Sequence, residues 1–225
     1  MKGILFKPDM IRAIVDGRKT VTRRLAGLKE INQEPDKWMR NSWQESQMWC
    51  RHFDSFWFDH INLNHQPRRL EIKPRYQVGE VVYIKEAWRI TSISDDFEEL
   101  FINYGDGFEN WKEVPDNLAM YYYNHYFKAQ RRPSTLFMPA WAARYFIKIA
   151  GVGAKRLQEL SPDDCIAEGI SKNYTDTIGE HSKSINMLID EYLNLWDLIN
   201  KGYPSKSNPY VFRYKFGLTS VGAMK

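Results

Sequence analysis

The pattern of apolar and polar positions predicts a chain of short helices and strands. Apolar residues recur at three- and four-residue spacing from about Ser184 to Asn200, which is typical of an amphipathic helix, and Gly202 and Pro204 follow its end. Over residues 210–216, large apolar side chains alternate with other residues, as in a strand with one buried face. The end of the chain is therefore predicted to be one long helix followed by one strand.

Two shorter helices are predicted from their capping signals. The first follows Pro8, with Asp9 at its N-cap and Gly17 just beyond its end. The second begins at the run Ser161-Pro162-Asp163-Asp164, which combines a Ser N-cap, a proline in the first turn and two acidic residues. Gly169 follows so soon that this helix must be short.

The middle of the chain is predicted to contain strands and loop excursions. Residues 81–88 and 145–150 are rich in β-branched and aromatic residues and are predicted strands, and the aromatic run 121–127 is also strand-like. The acidic, Gly- and Pro-containing stretch 92–116 is predicted to be a loop. The stretch 30–76 has no clean periodicity but holds four tryptophans, so we expect an insertion there. Together these elements predict an α+β fold in which the strands curl into a small β-barrel.

Length and composition limit the classes of protein that are possible. A chain of 225 residues is long enough to bury a core without disulfides, and its two cysteines, Cys50 and Cys165, favour a reduced, cytoplasmic compartment. The longest apolar stretch, 136–147, is interrupted by Pro139 and Arg144, so no membrane span is expected. Possible zinc ligands cluster around Cys50 but match no zinc spacing, so we expect neither a metal nor another cofactor: Cys50, His52, His60 and His65.

The net charge of +4 conceals two basic blocks and one acidic block. Residues 1–29 hold eight basic and two acidic residues, residues 128–156 hold seven basic and none acidic, and residues 92–116 hold one basic and eight acidic. If the basic blocks meet in the fold, they form one positive face that suits phosphate-bearing ligands. The alternative is that all three blocks are solvated surface.

The densest candidate chemistry lies in residues 17–24. An arginine such as Arg23 or Arg24 can hold an anion through two hydrogen bonds, while a desolvated Lys19 can act as a base toward a hydroxyl such as that of Thr22. In a straight strand Lys19 and Thr22 point to opposite faces, so their cooperation requires a turn. The alternative is a basic surface loop after a helix.

Two carboxylates are candidate site residues because their positions require a cationic partner. Glu168 ends the short helix, where the helix dipole does not stabilise a negative charge, so either an external cation such as Lys19 or a ligand is expected beside it. Glu86 alternates with apolar residues on one strand face and is expected to point into an interior, with Arg144 as its partner. The alternative for Glu86 is a structural salt bridge.

Residues 17–24 resemble the G-x-K-T signature of ASCH domains, which belong to the PUA-like β-barrel superfamily. Further blocks occur in the order found in the long bacterial and phage form of that family: 78–88, 132–144, 157–170, 195–196 and 208–211. The resemblance implies one PUA-like small β-barrel domain with flanking helices over residues 1–218. It also implies insertions at about 30–76 and 92–127 and a flexible tail at 219–225.

The resemblance also implies a function and a set of site residues. A minimal ASCH protein is an amidohydrolase that removes the acetyl group from N4-acetylcytidine. Its catalytic Lys, Thr and Glu correspond here to Lys19 as base, Thr22 as the residue that positions the attack, and Glu168 for the second proton transfer. The expected partner is RNA or a modified nucleoside. The alternative is a non-catalytic RNA-binding module, or a ribonuclease, with a basic cleft.

Candidate binding residues are charged side chains that can contact phosphate and aromatic ones that can stack on bases. They are Arg23, Arg24, Glu86, Trp88, Arg131, Arg132, Trp141 and Arg144.

Overall fold

The computed structural model describes residues 1–41, 55–61, 68–115, 118–175 and 180–219. The strands are β1 (Lys2–Leu5), β2 (Val21–Arg24), β3 (Trp38–Arg40), β4 (Phe56–His60), β5 (Arg69–Ile72), β6 (Val81–Lys85), β7 (Trp88–Ile93), β8 (Glu99–Tyr104), β9 (Glu109–Glu113), β10 (Phe146–Arg156), β11 (Asn173–Thr175), β12 (Glu180–Ser182) and β13 (Tyr210–Thr219). The helices are α1 (Pro8–Val15), α2 (Ala119–Tyr122), which continues as a π-helix over Tyr123–Lys128, α3 (Pro162–Ala167) and α4 (Ile185–Ile199). The α+β class is confirmed.

The first of two compact units comprises Met1–Val15, Val81–Lys148 and the last described residues, 218–219. In this unit β1 is parallel to β6, and β6 is antiparallel to the beginning of β10. Strands β7, β8 and β9 form an antiparallel sheet of their own. Its core includes Trp88, Ile90, Leu100, Ile102 and Tyr104, against which the π-helix packs.

The second unit comprises Asp16–Glu80 and Ile149–Gly217. Its strands include β13, which lies between β10 and β2 and pairs antiparallel with β2. Strands β3, β4 and β5 form a small antiparallel sheet. Helices α3 and α4 pack together over a core that includes Leu157, Cys165, Leu188, Trp196 and Val211. The candidate catalytic residues all belong to this unit.

The predicted terminal helix and strand are confirmed. Helix α4 is capped by the Ser184 hydroxyl, which accepts a hydrogen bond from the Met187 amide, and β13 runs from Tyr210 to Thr219. Helix α3 begins as predicted, because the Ser161 hydroxyl accepts a hydrogen bond from the Asp164 amide.

Local details differ from the prediction at two strand or helix ends. Helix α1 starts at Pro8, so Asp9 lies in its first turn and is not its N-cap. The predicted strand 81–88 is two strands, β6 and β7, because the chain leaves the extended pattern at Glu86 and Ala87.

The prediction of a loop over residues 92–116 is wrong. This stretch contains the end of β7 and all of β8 and β9. Strand β8 buries Leu100, Ile102 and Tyr104 on one face, and that period-two pattern was hidden by the surrounding acidic residues. Gly105 and Gly107 instead form the tight turn between β8 and β9, where Gly107 has a positive φ of 85°.

The prediction of a strand over residues 121–127 is also wrong, because this segment is helical. Aromatic residues favour strands on average, but here Tyr122 and Tyr126, four residues apart, share one face and contact the same tryptophan cluster. Tertiary packing has therefore overridden local propensity.

The pairing of strands among the described residues closes no barrel, so the predicted PUA-like barrel is not confirmed. The single-domain boundaries and the two insertions stay predictions. Of the predicted tail, Thr219 belongs to β13, and residues 220–225 lie outside the described residues.

The cap of α3 provides a test of how this short helix is held. Ser161→Ala should lower the free energy of unfolding by about 1 kcal/mol, because it removes the acceptor for the Asp164 amide. Urea denaturation followed by circular dichroism measures the change. Ser161→Asp, which keeps an acceptor, should match the wild type, and equal losses for both variants would contradict the capping role.

Candidate functional site

The centre of the candidate site is a buried ion pair between Lys19 and Glu168. The Lys19 Nζ donates to Glu168 Oε2 at 2.7 Å and to the Glu168 carbonyl oxygen at 2.6 Å. Only 1% and 5% of the two side chains are exposed. The backbone holds them together, since the Thr20 amide donates to the Ala167 carbonyl at 2.8 Å. The predicted cation for Glu168 is thus confirmed as Lys19.

The second carboxylate oxygen of Glu168 has its own donors. Arg23 Nη1 donates to Glu168 Oε1 at 3.1 Å, and the Tyr192 hydroxyl donates to the same atom at 3.3 Å. The Arg23 guanidinium also lies over the Tyr192 ring, 5.6 Å from its centroid. The Glu168 carboxylate is therefore fixed from both sides, which leaves its orientation little freedom.

Asp164 extends the network by one helical turn. It precedes Glu168 by four residues, so both carboxylates lie on the same side of the α3 segment. Its Oδ2 accepts from Arg23 Nη2 at 2.8 Å, and its Oδ1 accepts from Arg213 Nη2 at 2.7 Å and from Arg213 Nε at 3.1 Å. Arg23 consequently bridges the two carboxylates.

Burial and neighbouring charge act on the ionisation of these groups. Burial lowers the pKa of Lys19 below its usual value, and the positive charges of Arg24 and Arg23 lower it further, while Glu168 acts in the opposite direction. Burial would raise the pKa of Asp164, but its contacts with Arg213 and Arg23 hold it below its usual value. Lys19 is thus closer to releasing its proton than an exposed lysine is.

Thr22 and Arg24 lie beside this network on β2. Thr22 is buried and pairs with Tyr214 of β13, and its hydroxyl makes no hydrogen bond to any residue that the structure describes. It neighbours Arg23 in a strand, so its side chain points to the face opposite the one that reaches Glu168. Burial lowers the pKa of Arg24, and Glu168 opposes that shift. Thr22 is thus close to Lys19 in the sequence, but its side chain is directed away from the Lys19–Glu168 pair.

Comparisons with family models, with curated proteins and with solved structures find no match to this chain. The site rests on its own geometry. The resemblance to ASCH domains stays a prediction from the motifs.

Glu86 and Arg144 form a second charge cluster, which lies in the first unit. Arg144 Nε and Nη2 donate to the two Glu86 oxygens at 2.9 and 2.6 Å, so the predicted partner of Glu86 is confirmed. Arg144 Nη2 also donates to Asp106 at 2.6 Å, and the guanidinium lies over three rings, with Tyr104 closest at 4.5 Å. Burial lowers the pKa of Arg144, but both carboxylates raise it more. This arrangement is that of a structural ion pair held in an aromatic cage.

The remaining candidate binding residues are also in the first unit. Trp88 is buried and contacts Trp141 edge-to-face at 6.1 Å. Arg131 and Arg132 are exposed after the π-helix, where the Arg131 amide donates to the Tyr126 carbonyl at 2.8 Å.

Sequence reasoning missed three residues of the Lys19 network: Asp164 as an acceptor, Tyr192 and Arg213. Asp164 was assigned to the first turn of its helix, and Tyr192 belongs to the apolar face of α4. The available signal for Arg213 was its position as a charged residue between the buried Phe212 and Tyr214 of β13.

The possible metal ligands are mostly beyond what the structure describes. Cys50, His52 and His65 lie outside the described residues, and His60 packs edge-to-face on Trp38 at 4.8 Å. Among the described residues, no three His, Cys, Asp or Glu side chains are grouped as metal ligands.

Burial raises the pKa of the Cys165 thiol to about 11. No helix in the described ranges has both the length and the apolar character needed to cross a bilayer.

The lowered pKa of Lys19 makes stability depend on pH. Between this pKa and the usual 10.5, the unfolded chain binds more protons than the folded one, so the stability linked to Lys19 rises with pH. Relative to Lys19→Met, the wild type should gain up to about 1.4 kcal/mol per pH unit in that window. Urea denaturation of both proteins at several pH values up to 10.5 measures the difference.

The exposed Lys201 gives the control for this measurement. Lys201→Met makes the same substitution at an exposed position and gives the baseline with which the Lys19→Met difference is compared. A Lys19→Met difference that stays constant or moves the other way would contradict the lowered pKa.

Proposed function

We propose that this chain is an ASCH-type, PUA-like amidohydrolase that removes an acyl group from a modified nucleoside such as N4-acetylcytidine. The observation that supports it best is the buried contact of 2.7 Å between Lys19 and Glu168. A lysine whose pKa is lowered, in direct contact with a carboxylate, is a suitable pair for moving protons in amide hydrolysis.

The proposed reaction needs two proton transfers. Neutral Lys19 takes a proton from the attacking water, whose oxygen bonds to the acyl carbon to give a tetrahedral oxyanion. When the C–N bond breaks, the Lys19 ammonium passes the proton it took from water through the Glu168 carboxylate to the leaving N4 nitrogen. Thr22, whose side chain lies on the opposite face of β2, takes no part in these steps. The products are the free cytosine amine and the carboxylic acid, so one water is consumed and atoms balance.

The charges around the pair favour a reaction that develops negative charge. Four basic side chains accompany two carboxylates in this network: Lys19, Arg23, Arg24 and Arg213 against Asp164 and Glu168. An excess of fixed positive charge in a desolvated site stabilises an oxyanion more than the neutral amide that precedes it.

The same network disfavours the alternative in which Arg23 serves as a phosphate contact of an RNA-binding module. Both terminal nitrogens of Arg23 already donate to carboxylates, Nη1 to Glu168 and Nη2 to Asp164. An arginine that contacts phosphate presents these same nitrogens to the phosphate oxygens. A structural role for Arg23 in holding Glu168 accounts for these contacts better.

Removing either proton carrier should abolish activity. Lys19→Ala and Glu168→Gln should each lower kcat/KM for N4-acetylcytidine by about 10²- to 10⁴-fold, because each removes one proton-transfer group. Release of cytidine, followed by chromatography, measures the rate, and circular dichroism checks that each variant is folded.

The Lys183–Glu191 ion pair in the same unit provides matched controls. Lys183→Ala and Glu191→Gln make the same chemical changes away from the candidate site and should retain activity. A wild type that is inactive on a panel of acylated nucleosides, or an active Lys19→Ala, would overturn the proposal.

The pH profile should show whether Lys19 is the base. The rising limb of kcat/KM should have an apparent pKa below 10.5, because Lys19 must be neutral and its pKa is lowered. Arg24→Gln should move this limb to higher pH, since it removes a cation that disfavours the Lys19 ammonium. Arg24→Lys keeps the charge and should leave the limb in place. A limb unaffected by Arg24→Gln would count against this assignment.

A further inference from the structure

The sheet of β7, β8 and β9 has a core-facing side and an outer face. Leu100, Ile102 and Tyr104 of β8 lie in the core of the first unit. Because side chains alternate along a strand, Phe101 points to the outer face. Trp111 of β9 lies opposite Phe101 in the strand pairing, and the two rings are in contact, with centroids 5.0 Å apart. The outer face thus carries an aromatic pair of its own.

This aromatic pair is accessible to a partner. Trp111 is 40% exposed, and Phe101 is partly exposed beside it. Aromatic residues are enriched where proteins contact one another, because their rings bury a large area with little loss of side-chain freedom. The outer face is therefore a contact surface that nothing in the described ranges fills.

Carboxylates surround the aromatic pair. Glu99 of β8 lies directly opposite Glu113 of β9, and Glu109 lies opposite Asn103, whose amide donates to it at 2.6 Å. Each of these residues is two positions from one of the rings, so all of them share the outer face. In the described strands of this sheet, the basic residue on that face is Arg89, which lies opposite Asn103.

The opposition of Glu99 and Glu113 is unfavourable in the chain by itself. Like charges at directly opposite positions of an antiparallel pair repel each other. No basic side chain that the structure describes forms an ion pair with either carboxylate. Charges on an edge strand also prevent unwanted strand pairing, but that role requires neither opposed carboxylates nor an exposed tryptophan between them. A cation from outside the chain would relieve the repulsion.

The turn between β7 and β8 repeats the combination of a ring and negative charge. It exposes Asp95, Asp96 and Glu98, and the Phe97 side chain among them is 51% exposed. Asp96 Oδ1 accepts from the Glu98 amide at 3.1 Å, which fixes the turn. The outer face and this turn together form one kind of surface, in which rings stand among carboxylates.

We propose that the outer face of the β7–β9 sheet and the adjoining turn bind a basic segment of a partner protein. Arginine side chains of that segment pair with Glu99, Glu113 and the acids of the turn, and they stack on the rings of Trp111 and Phe97. Arginine fits better than lysine because its planar group can pair with a carboxylate and stack on a ring. This binding does not depend on the proposed hydrolase activity, because Lys19 and Glu168 belong to the other unit.

Charge complementarity favours this occupant over others. Nucleic acids and anionic membranes are repelled by the carboxylates. A bound metal ion needs several ligands at one point, and the described Asp and Glu side chains form no such group. An apolar peptide would cover Trp111 but would leave the carboxylates beside it without a partner.

The test is binding of the full-length protein to a fluorescein-labelled 12-residue peptide of alternating Arg and Ser, measured by anisotropy at several salt concentrations. The wild type should bind, and the binding should weaken as salt is added, because exposed charges are screened. A peptide with Gln in place of every Arg should bind at least about tenfold more weakly, since it offers neither ion pairs nor a cation for the rings.

Variants of the outer face separate its charges from its ring. Glu99→Gln/Glu113→Gln should weaken binding about three- to tenfold, as expected for two exposed ion pairs. The same variant should be more stable toward urea than the wild type, because the repulsion between the opposed carboxylates is gone. Weaker binding by a more stable protein cannot come from misfolding. Trp111→Leu keeps an apolar side chain and should weaken binding about two- to fivefold, because the ring face is lost.

Matched variants away from the sheet supply the controls. Glu159→Gln/Asp190→Asn removes two exposed carboxylates in the other unit, and Tyr121→Leu removes an exposed ring of α2 in the same unit. Both should bind the peptide as the wild type does. Circular dichroism shows that each variant is folded.

The proposal is overturned by any of four results. These are no binding of the Arg peptide, equal binding of the Gln peptide, equal effects of the control and test variants, or self-association of the wild type that Glu99→Gln/Glu113→Gln abolishes. Sedimentation at several protein concentrations measures the last of these, in which the occupant is a second copy of this chain. Deacylation of a free nucleoside by Glu99→Gln/Glu113→Gln should stay unchanged, so a failed binding test and a failed hydrolase assay are separate outcomes.

Discussion

The Glu168 carboxylate organises the second unit because its two oxygens are shared among three side chains. One oxygen accepts from Lys19, and the other from Arg23 and Tyr192. These donors come from the segment before β2, from β2 itself and from α4. Removing one partner of a buried ion pair typically costs about 3–5 kcal/mol, since the remaining charge stays desolvated. The fold of this unit and the chemistry of its site therefore depend on the same carboxylate.

The parts of the fold that the sequence predicted are those with strong local signals. Ser161 caps its helix as expected, because capping depends on residues only three positions apart. The strands within 92–116 and the helix within 119–128 were missed, since their burial is decided by distant partners such as Trp141. Charged neighbours obscured the first pattern, and the β-propensity of aromatic residues the second.

The candidate site could be predicted only in part, because some of its contacts follow from local signals and others from tertiary structure. The need of Glu168 for a cation follows from its place at a helix end, and Lys19 is that cation. By contrast, nothing local assigns Arg213 to Asp164, because 49 residues separate them. The pairing of β13 with β2 sets Arg213 opposite Arg23, which also contacts Asp164. Burial, which the tertiary structure decides, is the largest cause of the lowered pKa of Lys19, and the positive charges of Arg24 and Arg23 lower it further.

The doubly used carboxylates also restrict how this sequence can change over evolutionary time. Asp164 serves both Arg23 and Arg213, so an ancestor that lost this one acid would have had two arginines deprived of an acceptor at once. A single substitution at such a position is a large step, and a compensating change must occur at a residue far away in the chain. Among descendants of this protein, these positions should therefore be kept or replaced as a set.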